Sequence, residues 1–224
     1  MAQPWKTIES VPTQEGLLEL RKRGERDFLI TIDGRVLMNS HASHSEVALG
    51  ELACNHLRNS KQPRVLVAGL GMGFTLKAVL DTLPAKARVE VAELNPVVVA
   101  WCRGPMAALT DHAVSDARVQ LDTCDVSLLI RRHATEEVKG KLDAIILDLS
   151  TGPYKHSHKG DDPLFGSMAL KTAQSALKPG GVFAVWGEAY DAGFAKRMTG
   201  SGFRTTHHQS RHRGARHVVY MGRS

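Results

Sequence analysis

The hydrophobic pattern from Arg64 onward alternates between two kinds of segment. Short apolar runs rich in β-branched residues are typical of buried parallel strands, and the stretches between them have the apolar spacing of helices. We predict strands at 64–69, 88–93, 117–121, 142–148 and 181–187. We predict helices at 73–83, 96–108, 125–138 and 164–178. Because consecutive strand–helix–strand units cross over right-handed, this series predicts an α/β fold with a doubly wound, mostly parallel sheet.

The first part of the chain follows a different pattern. Strand-length apolar runs lie at 17–20, 28–32 and 35–38, and Asp33-Gly34 between the last two favours a hairpin turn. We therefore predict a short antiparallel β-hairpin unit over residues 1–43, placed before the α/β domain.

The α/β domain is predicted to run over 44–224 and to open with a helix at 44–57, capped by Ser43 or Ser45. Near its end, a helix at 191–199 precedes two strands at 203–209 and 216–221 with no helix between them. A parallel pair needs a long crossover connection, so this last pair is predicted to be antiparallel.

Composition narrows the class of protein. The 224 residues, 42% of them apolar, are enough for one α/β domain with a small appendage. The chain has no apolar run long enough for a membrane span, and its start lacks the apolar region of a secretory signal. Cys54, Cys102 and Cys124 are scattered without a C-x-x-C pair, which is typical of reduced thiols. We predict a cytoplasmic protein with no membrane partner.

Basic residues give a formal net charge of +6 and gather between Arg204 and Arg223, a stretch that also holds four histidines. Such a stretch indicates either a surface for acidic substrates or nucleic acid, or a solvated pair of strands. The charges are not interleaved with aromatic residues as a stacking platform requires, and no carboxylate or cysteine stands among the histidines. We favour the solvated strands, so we expect neither a nucleic-acid partner nor a metal site.

A glycine-rich turn carries the first chemical signal. Residues 65–73 form an apolar run that ends in Gly69, Gly71 and Gly73, directly before a predicted helix. Glycines let the chain turn sharply and let a ligand approach the main chain without meeting a Cβ. Glu93, 24 residues after Gly69, ends the next strand, where a carboxylate accepts hydrogen bonds from ribose hydroxyls. The pair predicts a nucleoside cofactor, although a glycine turn alone also occurs without a ligand.

Two aspartates follow later strands of the same predicted sheet. Asp125 either accepts from an adenine amine or caps the next helix, and one Asp can do both. Asp148 lies where open α/β sheets bind ligands, and it positions or deprotonates a nucleophile; the alternative is a helix cap or a partner for the loop backbone. The candidate cofactor-binding residues are therefore Gly69, Leu70, Gly71, Gly73, Glu93, Leu94, Asp125, Val126 and Asp148.

The loop after Asp148 is predicted to cover a small-molecule substrate. It contains Tyr154 and His156, which we name with Asp148 as candidate catalytic residues, because an imidazole titrates near neutral pH. His158 is an equal candidate for a general base, and an exposed polar lid is the alternative for either histidine. The candidate substrate-contacting residues are Glu46, Ser150, Thr151 and Trp186.

Several motifs together resemble one family. The G-x-G-x-G spacing at 69–73 and the closing antiparallel strands are similar to the class I methyltransferase fold, whose members bind S-adenosylmethionine (SAM). The stretch from about Met38 to Glu188 resembles the spermidine synthase-like branch of these SAM-dependent transferases. The matching segments are His44-Ser45-Glu46, Asp116-Ala117-Arg118-Val119, Leu164-Phe165, Leu177-Lys178-Pro179-Gly180-Gly181 and Gly187-Glu188. The resemblance implies a Rossmann-like domain, a SAM-type ligand without metal, and a homodimer.

Two positions depart from that family. Its members hold the ammonium of decarboxylated SAM with an Asp in the glycine loop and a second Asp after the fourth strand, whereas this chain has Met72 and Thr151 there. A buried ammonium would then be poorly paired, and intact SAM, which carries its own carboxylate, fits better. Our first hypothesis is a small-molecule methyltransferase in which Asp148 orients or deprotonates the nucleophile. The alternatives are an aminopropyltransferase that uses decarboxylated SAM and a SAM-binding protein without catalysis.

Overall fold

The computed structural model describes two β-sheets that follow one another along the chain. It covers residues 3–13, 15–41, 43–137, 139–149, 152–153, 162–212 and 215–224, with the backbone alone at 210–212 and 215–216. The first sheet is antiparallel, with its four strands in chain order. They are β1 (Lys6–Thr13), β2 (Gly16–Arg23), β3 (Asp27–Ile32) and β4 (Arg35–Asn39).

The second sheet has seven strands in the order β10-β11-β9-β8-β5-β6-β7. Its parallel strands are β5 (Arg64–Ala68), β6 (Arg88–Glu93), β7 (Val119–Thr123), β8 (Leu142–Leu147) and β9 (Leu177–Gly187). β10 (Arg204–His212) and β11 (Ala215–Arg223) form an antiparallel hairpin, and β11 pairs antiparallel with β9. This order confirms the predicted doubly wound sheet with an antiparallel terminal strand behind an N-terminal β-unit.

Helices cover both faces of the large sheet. They are α1 (His44–Cys54), α2 (Phe74–Thr82), α3 (Pro96–Arg103), α4 (Val126–Ala134), α5 (Ser167–Ala176) and α6 (Ala192–Gly200). Strand residues alternate between the two faces: Val65 and Val67 pack with α1, α2, α3 and the N-terminal strands, while Leu66 and Ala68 pack with α4, α5 and α6. The carboxyl ends of the parallel strands therefore meet at one edge, flanked by α1 on one face and by α4 on the other.

The N-terminal sheet shares the core of the α1 face. Leu20 and Ile30 are fully buried against it, and Leu18, Phe28 and Ile32 are nearly so. The sheet therefore packs on the same side of the large sheet as α1, and β4 reaches the edge where the strand ends meet.

Several predicted boundaries are corrected by local hydrogen bonds. α3 ends at Arg103 rather than 108 because Gly104 is its C-cap, and α1 ends at Cys54 rather than 57. β7 begins two residues late, at Val119, because the Asp116 carboxylate accepts from the Arg118 N–H in a turn. α4 spans 126–134 rather than 125–138. At the start of α1, Ser43 holds the N-cap position, but its side chain makes no capping bond.

Two further elements differ from the prediction. α5 begins at Ser167 rather than 164 and gives way at Leu177 to β9, four residues before the predicted strand, because Leu177 already pairs with Leu142. β1 was not predicted at all. Its side chains are exposed along most of its length, so it lacks the apolar face that identifies a strand in sequence.

In the described part of the chain, every helix is too short or too polar to cross a membrane.

Candidate functional site

The glycine turn between β5 and α2 forms the centre of the candidate site. Gly69, Gly71 and Gly73 all have positive φ angles, of 85°, 51° and 86°, in the region that favours glycine. A Cβ at Gly69 would overlap the backbone carbonyl oxygen of Asp148. Gly69 is therefore required by the close approach of the end of β8, independently of any ligand.

The side chains of the turn are held by the core and by the N-terminal sheet. Leu70 and Met72 are buried, with 3% and 4% of their surface exposed. A Cβ at Gly71 would lie 3.1 Å from the Met38 sulfur on β4, so this strand covers part of the turn. The Cys102 thiol donates to the Gly71 carbonyl at 3.3 Å. These contacts fix the turn before any ligand binds.

Glu93 links the turn to the end of β6. Its Oε2 accepts from the Leu70 N–H and its Oε1 accepts from the Asn95 N–H, both at 2.8 Å. A carboxylate has about four lone-pair positions, so it retains acceptor capacity for ribose hydroxyls. Leu94, which follows it, is 72% exposed beside this position. The carboxylate is therefore oriented by two backbone donors, and its contact with a ribose stays a prediction.

Asp125 is the N-cap of α4, where its Oδ1 accepts from the Ser127 N–H at 2.8 Å. This confirms the capping role, and the exposed carboxylate stays a predicted adenine contact. Val126, the next residue, is buried.

Asp148 lies one residue beyond β8 and continues its pairing, because its N–H donates to the Ala68 carbonyl at 2.8 Å. Its Oδ2 lies 2.5 Å from the hydroxyl of Thr75, a buried residue in the first turn of α2. The same hydroxyl is 3.2 Å from the Glu46 carbonyl oxygen in the first turn of α1. Thr75 therefore joins the candidate residues Asp148 and Glu46, although the sequence pattern did not identify it.

Burial raises the pKa of Asp148 from its ordinary 3.8 to about 7. The hydrogen bond from Thr75 opposes this rise, and the negative charge of Glu46 adds to it. A carboxyl group that titrates near neutral pH accepts and releases protons readily under physiological conditions. Asp148 is thus suited to act as a general base.

The Thr75 hydroxyl serves Asp148 in both protonation states. When Asp148 is ionised, Thr75 donates its single proton to Oδ2. When Asp148 is protonated, the carboxyl group donates to Thr75, and the Thr75 proton turns to the Glu46 carbonyl. In both states the Thr75 hydroxyl and Asp148 Oδ2 are hydrogen-bonded to each other. Glu46 is held in turn by the Ser45 hydroxyl, which donates to Glu46 Oε2 at 2.7 Å.

Trp186 lies beside Asp148 on the neighbouring strand. Leu147 pairs with Val185 in the parallel β8–β9 ladder, so the next pair of positions is Asp148 and Trp186. The Trp186 ring lies 5.4 Å, centroid to centroid, from the imidazole of His217 on β11. The structure thus extends the candidate site to His217, which the sequence placed only within a basic stretch.

Part of the predicted site lies outside the described residues. This applies to Ser150 and Thr151, to the candidate catalytic residues Tyr154 and His156, and to His158. Within the described ranges, no group of three or more His, Cys, Asp or Glu side chains is arranged to hold a metal ion.

Two curated proteins are similar to this chain in sequence. It is 30% identical over 135 residues to the polyamine aminopropyltransferase of Prochlorococcus marinus, a match covering 58% of this chain and 42% of that protein. It is 26% identical over 120 residues to the polyamine aminopropyltransferase of Clostridium tetani, covering 54% and 39%. The matched stretch therefore spans less than half the length of either relative. No family model matches the chain.

Solved structures match almost the whole chain. Spermidine synthase from Thermotoga maritima has a TM-score of 0.70 at 20% identity, covering 96% of this chain and 72% of that one. A spermidine synthase in complex with the transition state analogue AdoDATO has a TM-score of 0.69 at 18% identity, with the same coverages of 96% and 72%. A probable spermidine synthase from Corynebacterium glutamicum has a TM-score of 0.67 at 17% identity, covering 97% and 79%.

At these identities the structural matches establish the fold, and the sequence matches point to the same group of proteins. The glycine turn, Glu93 and Asp148 lie at the carboxyl ends of β5, β6 and β8, and their roles toward a ligand stay predictions. The chain has the Rossmann-like fold of the spermidine synthases that it matches.

Proposed function

We propose that this protein transfers an aminopropyl group from decarboxylated SAM to a small-molecule amine. The observation that carries the proposal is the acidic end of β8, where Thr75 connects Asp148 to Glu46. Both curated relatives are named polyamine aminopropyltransferases, which favours the alternative of the sequence analysis over methyl transfer. An enzyme of this class is our conclusion from the site and the comparisons together.

The residues at the strand ends suit the adenosyl part of such a ligand. The backbone turn at Gly71 carries no Cβ, and Glu93 keeps acceptor capacity for two ribose hydroxyls. Asp125 stands at the start of α4, within the same edge of the sheet. We therefore assign ribose binding to Glu93 and adenine binding to Asp125.

Asp148 supplies the chemistry on the protein side. The bound nucleoside would provide a sulfonium, which makes the attached carbon electrophilic. The amine nitrogen forms a bond to this carbon while the C–S bond breaks, and the electron pair of the C–S bond stays on sulfur. Asp148 takes the proton that the amine nitrogen loses. Thr75 holds the accepting oxygen, and burial keeps the pKa of Asp148 near 7, where proton transfer is efficient. The main contribution of the fold is alignment of the two reactants.

Glu46 adds negative charge to the same pocket. Its carboxylate raises the pKa of Asp148, so the two groups are near enough to interact. The chain as a whole is basic, with a net charge of +6, yet this end of the sheet presents Glu46, Glu93 and Asp148. A local concentration of carboxylates favours cationic reactants such as an ammonium group and a sulfonium.

Methyl transfer from intact SAM is the second candidate function. Met72 is 4% exposed and apolar, so the glycine turn offers no carboxylate to a bare ammonium at this position. Intact SAM brings its own carboxylate and needs no such partner. This feature favours a methyltransferase, whereas the comparisons favour aminopropyl transfer.

The product nucleoside distinguishes these functions. Purified protein is incubated with a panel of primary amines and either decarboxylated SAM or SAM, and the nucleosides are identified by mass spectrometry. We expect 5′-methylthioadenosine from decarboxylated SAM, and a rate at least about 100-fold lower for Asp148→Asn, since a general base contributes that much or more. Asp81→Asn, which alters an exposed ion pair with Lys77, is the matched control and should retain full activity.

Other outcomes have defined meanings. S-adenosylhomocysteine as the product would establish methyl transfer instead. Calorimetric binding of either nucleoside without any product from the amine panel would favour a binding protein that lacks catalysis. Absence of binding to both nucleosides would contradict the proposal at its first step.

A further inference from the structure

Two buried nitrogen atoms beside Asp148 have no hydrogen-bond partner within the described part of the chain. They are Nε1 of Trp186 and Nδ1 of His217. An indole N–H is a donor only, and a buried donor without an acceptor is costly. Native proteins pair nearly all such groups, so an unpaired one next to a reaction centre indicates a group that a ligand would satisfy.

Both side chains face the same edge of the sheet as Asp148. Trp186 pairs with Val219 in the β9–β11 ladder, and His217 lies two residues before Val219, on the same face. Because β11 runs antiparallel to β9, His217 lies beyond the end of β9, nearer to the opening. A Cβ at Gly152, in the loop after Asp148, would come within 3.4 Å of the Trp186 carbonyl oxygen. The pair therefore borders the loop that carries the proposed base.

The ends of the strands divide the site into two halves. The glycine turn and Glu93 lie on β5 and β6, and Asp125 follows the neighbouring β7. Trp186 and His217 lie on the opposite side of Asp148, over β9 and β11. With the nucleoside on the first half, the molecule that attacks it must approach over the second half. The unpaired nitrogens are thus placed for the acceptor substrate.

We propose that Trp186 and His217 bind the acceptor, and that the acceptor is an amine bearing a hydrogen-bond-accepting oxygen, such as a hydroxyl or carboxylate, at its far end. This inference rests on the proposed function. The Trp186 N–H donates to that oxygen, while His217 Nδ1 accepts from a hydroxyl or donates to a carboxylate, according to its tautomer.

A simple diamine fits this subsite less well. Its far end is an ammonium, which only donates hydrogen bonds, so the Trp186 N–H would stay unpaired. A cation also binds over an indole face, but His217 covers one face of Trp186, with the ring planes inclined at 33°. The unpaired polar feature of the pair is therefore the nitrogen edge.

The test compares two acceptors of equal length, 4-aminobutan-1-ol and 1,4-diaminobutane. We expect kcat/KM to be about tenfold higher for the amino alcohol, the effect of one well-made hydrogen bond. Trp186→Phe keeps an aromatic ring and removes the N–H, so it should abolish this preference. His217→Phe keeps the ring contact and removes Nδ1, which provides a second variant if the first fails to fold.

A binding measurement separates this inference from the proposed function. Each amine is titrated calorimetrically into protein saturated with 5′-methylthioadenosine, which requires no turnover. Preference for the amino alcohol that is lost in Trp186→Phe supports the subsite, even if no amine is ever converted and the proposed function fails. Equal or better binding of the diamine, or a preference that Trp186→Phe leaves intact, overturns it.

Discussion

At the scale of single residues, the Thr75 hydroxyl decides how Asp148 is held. It is the hydrogen-bond donor to Asp148 Oδ2, and it stabilises the ionised carboxylate against the effect of burial. Asp148 itself was predictable, because ligands bind at the carboxyl ends of strands in open α/β sheets. Thr75 was not, since nothing in local spacing pairs two residues 73 positions apart.

Replacing Thr75 with valine should move the pH profile of the reaction. The base acts when ionised, so activity rises with pH through the pKa of Asp148, about 7. Thr75→Val removes a hydrogen bond to the charged form, so that pKa rises further. We expect the midpoint of kcat to shift upward by about one pH unit, with KM for the nucleoside little changed. The measurement is kcat between pH 5.5 and 9.5.

The serine variant is the control for this prediction. Thr75→Ser restores the hydroxyl and should restore the original midpoint, although it lacks the methyl group. If Thr75→Val lowers activity equally at every pH, Thr75 has only a packing role and does not tune Asp148.

At the scale of elements, a buried ion cluster attaches α4 to the sheet. Glu90 on β6 lies 3.0 Å from Nε2 of His133 on α4, a side chain that is 1% exposed. His133 Nδ1 lies 3.0 Å from the Gly140 carbonyl oxygen, and Arg64 on β5 reaches Glu90 at 3.3 Å. This cluster joins two strands, a helix and the loop before β8.

Removing one partner of this cluster should destabilise the fold. His133→Leu leaves Glu90 paired with Arg132 and Arg64 but removes one contact to its carboxylate and the partner of the Gly140 carbonyl, which should cost about 2 kcal/mol. Asp81→Asn, at an exposed pair with Lys77, should cost less than about 1 kcal/mol. Urea unfolding followed by circular dichroism measures both. A midpoint for His133→Leu equal to that of Asp81→Asn would contradict the role of the cluster.

The same cluster predicts how stability depends on acid. Burial alone would raise the pKa of Glu90, but His133, Arg132 and Arg64 together lower it below its ordinary 4.5. Because the pKa of Glu90 is lower in the folded protein, the unfolded chain binds more protons in acid. The stabilisation is therefore complete above pH 4.5 and is lost as the pH falls through the pKa of Glu90 in the folded protein. Glu90→Gln should therefore flatten the dependence of the unfolding midpoint on pH between about 5 and 3.

The elements differ in how far the sequence predicts them. Parallel strands such as β5 and β8 are buried on both faces and read as continuous apolar runs, so their positions were predicted closely. Helix ends were predicted too long, because caps such as Gly104 depend on hydrogen bonds rather than on periodicity. β1 was not predicted because it is stabilised by pairing with β2 and not by a buried apolar face.

At the scale of the whole molecule, the charge is distributed unevenly. The net charge is +6, and Arg204 and Arg223 stand opposite each other in the β10–β11 ladder, while three carboxylates gather at the ends of β6 and β8 and on α1. The sequence predicts the basic stretch and the three site carboxylates, but not the Thr75 contacts that link Glu46 to Asp148. An acidic pocket apart from the basic strands agrees with the cationic ligand of the proposed function.

The salt dependence of binding affinity distinguishes a small charged ligand from a nucleic-acid partner. A small ligand carrying one or two charges exchanges few ions, so we expect its calorimetric affinity to change less than about threefold between 50 and 200 mM NaCl. A protein that contacts six or more phosphates loses about a thousandfold over the same range. Fluorescence anisotropy with a labelled oligonucleotide gives the second measurement, and Arg204→Gln should leave the affinity for the nucleoside unchanged. Tight oligonucleotide binding with that steep salt dependence, weakened by Arg204→Gln, would show instead that the basic strands form a nucleic-acid-binding surface.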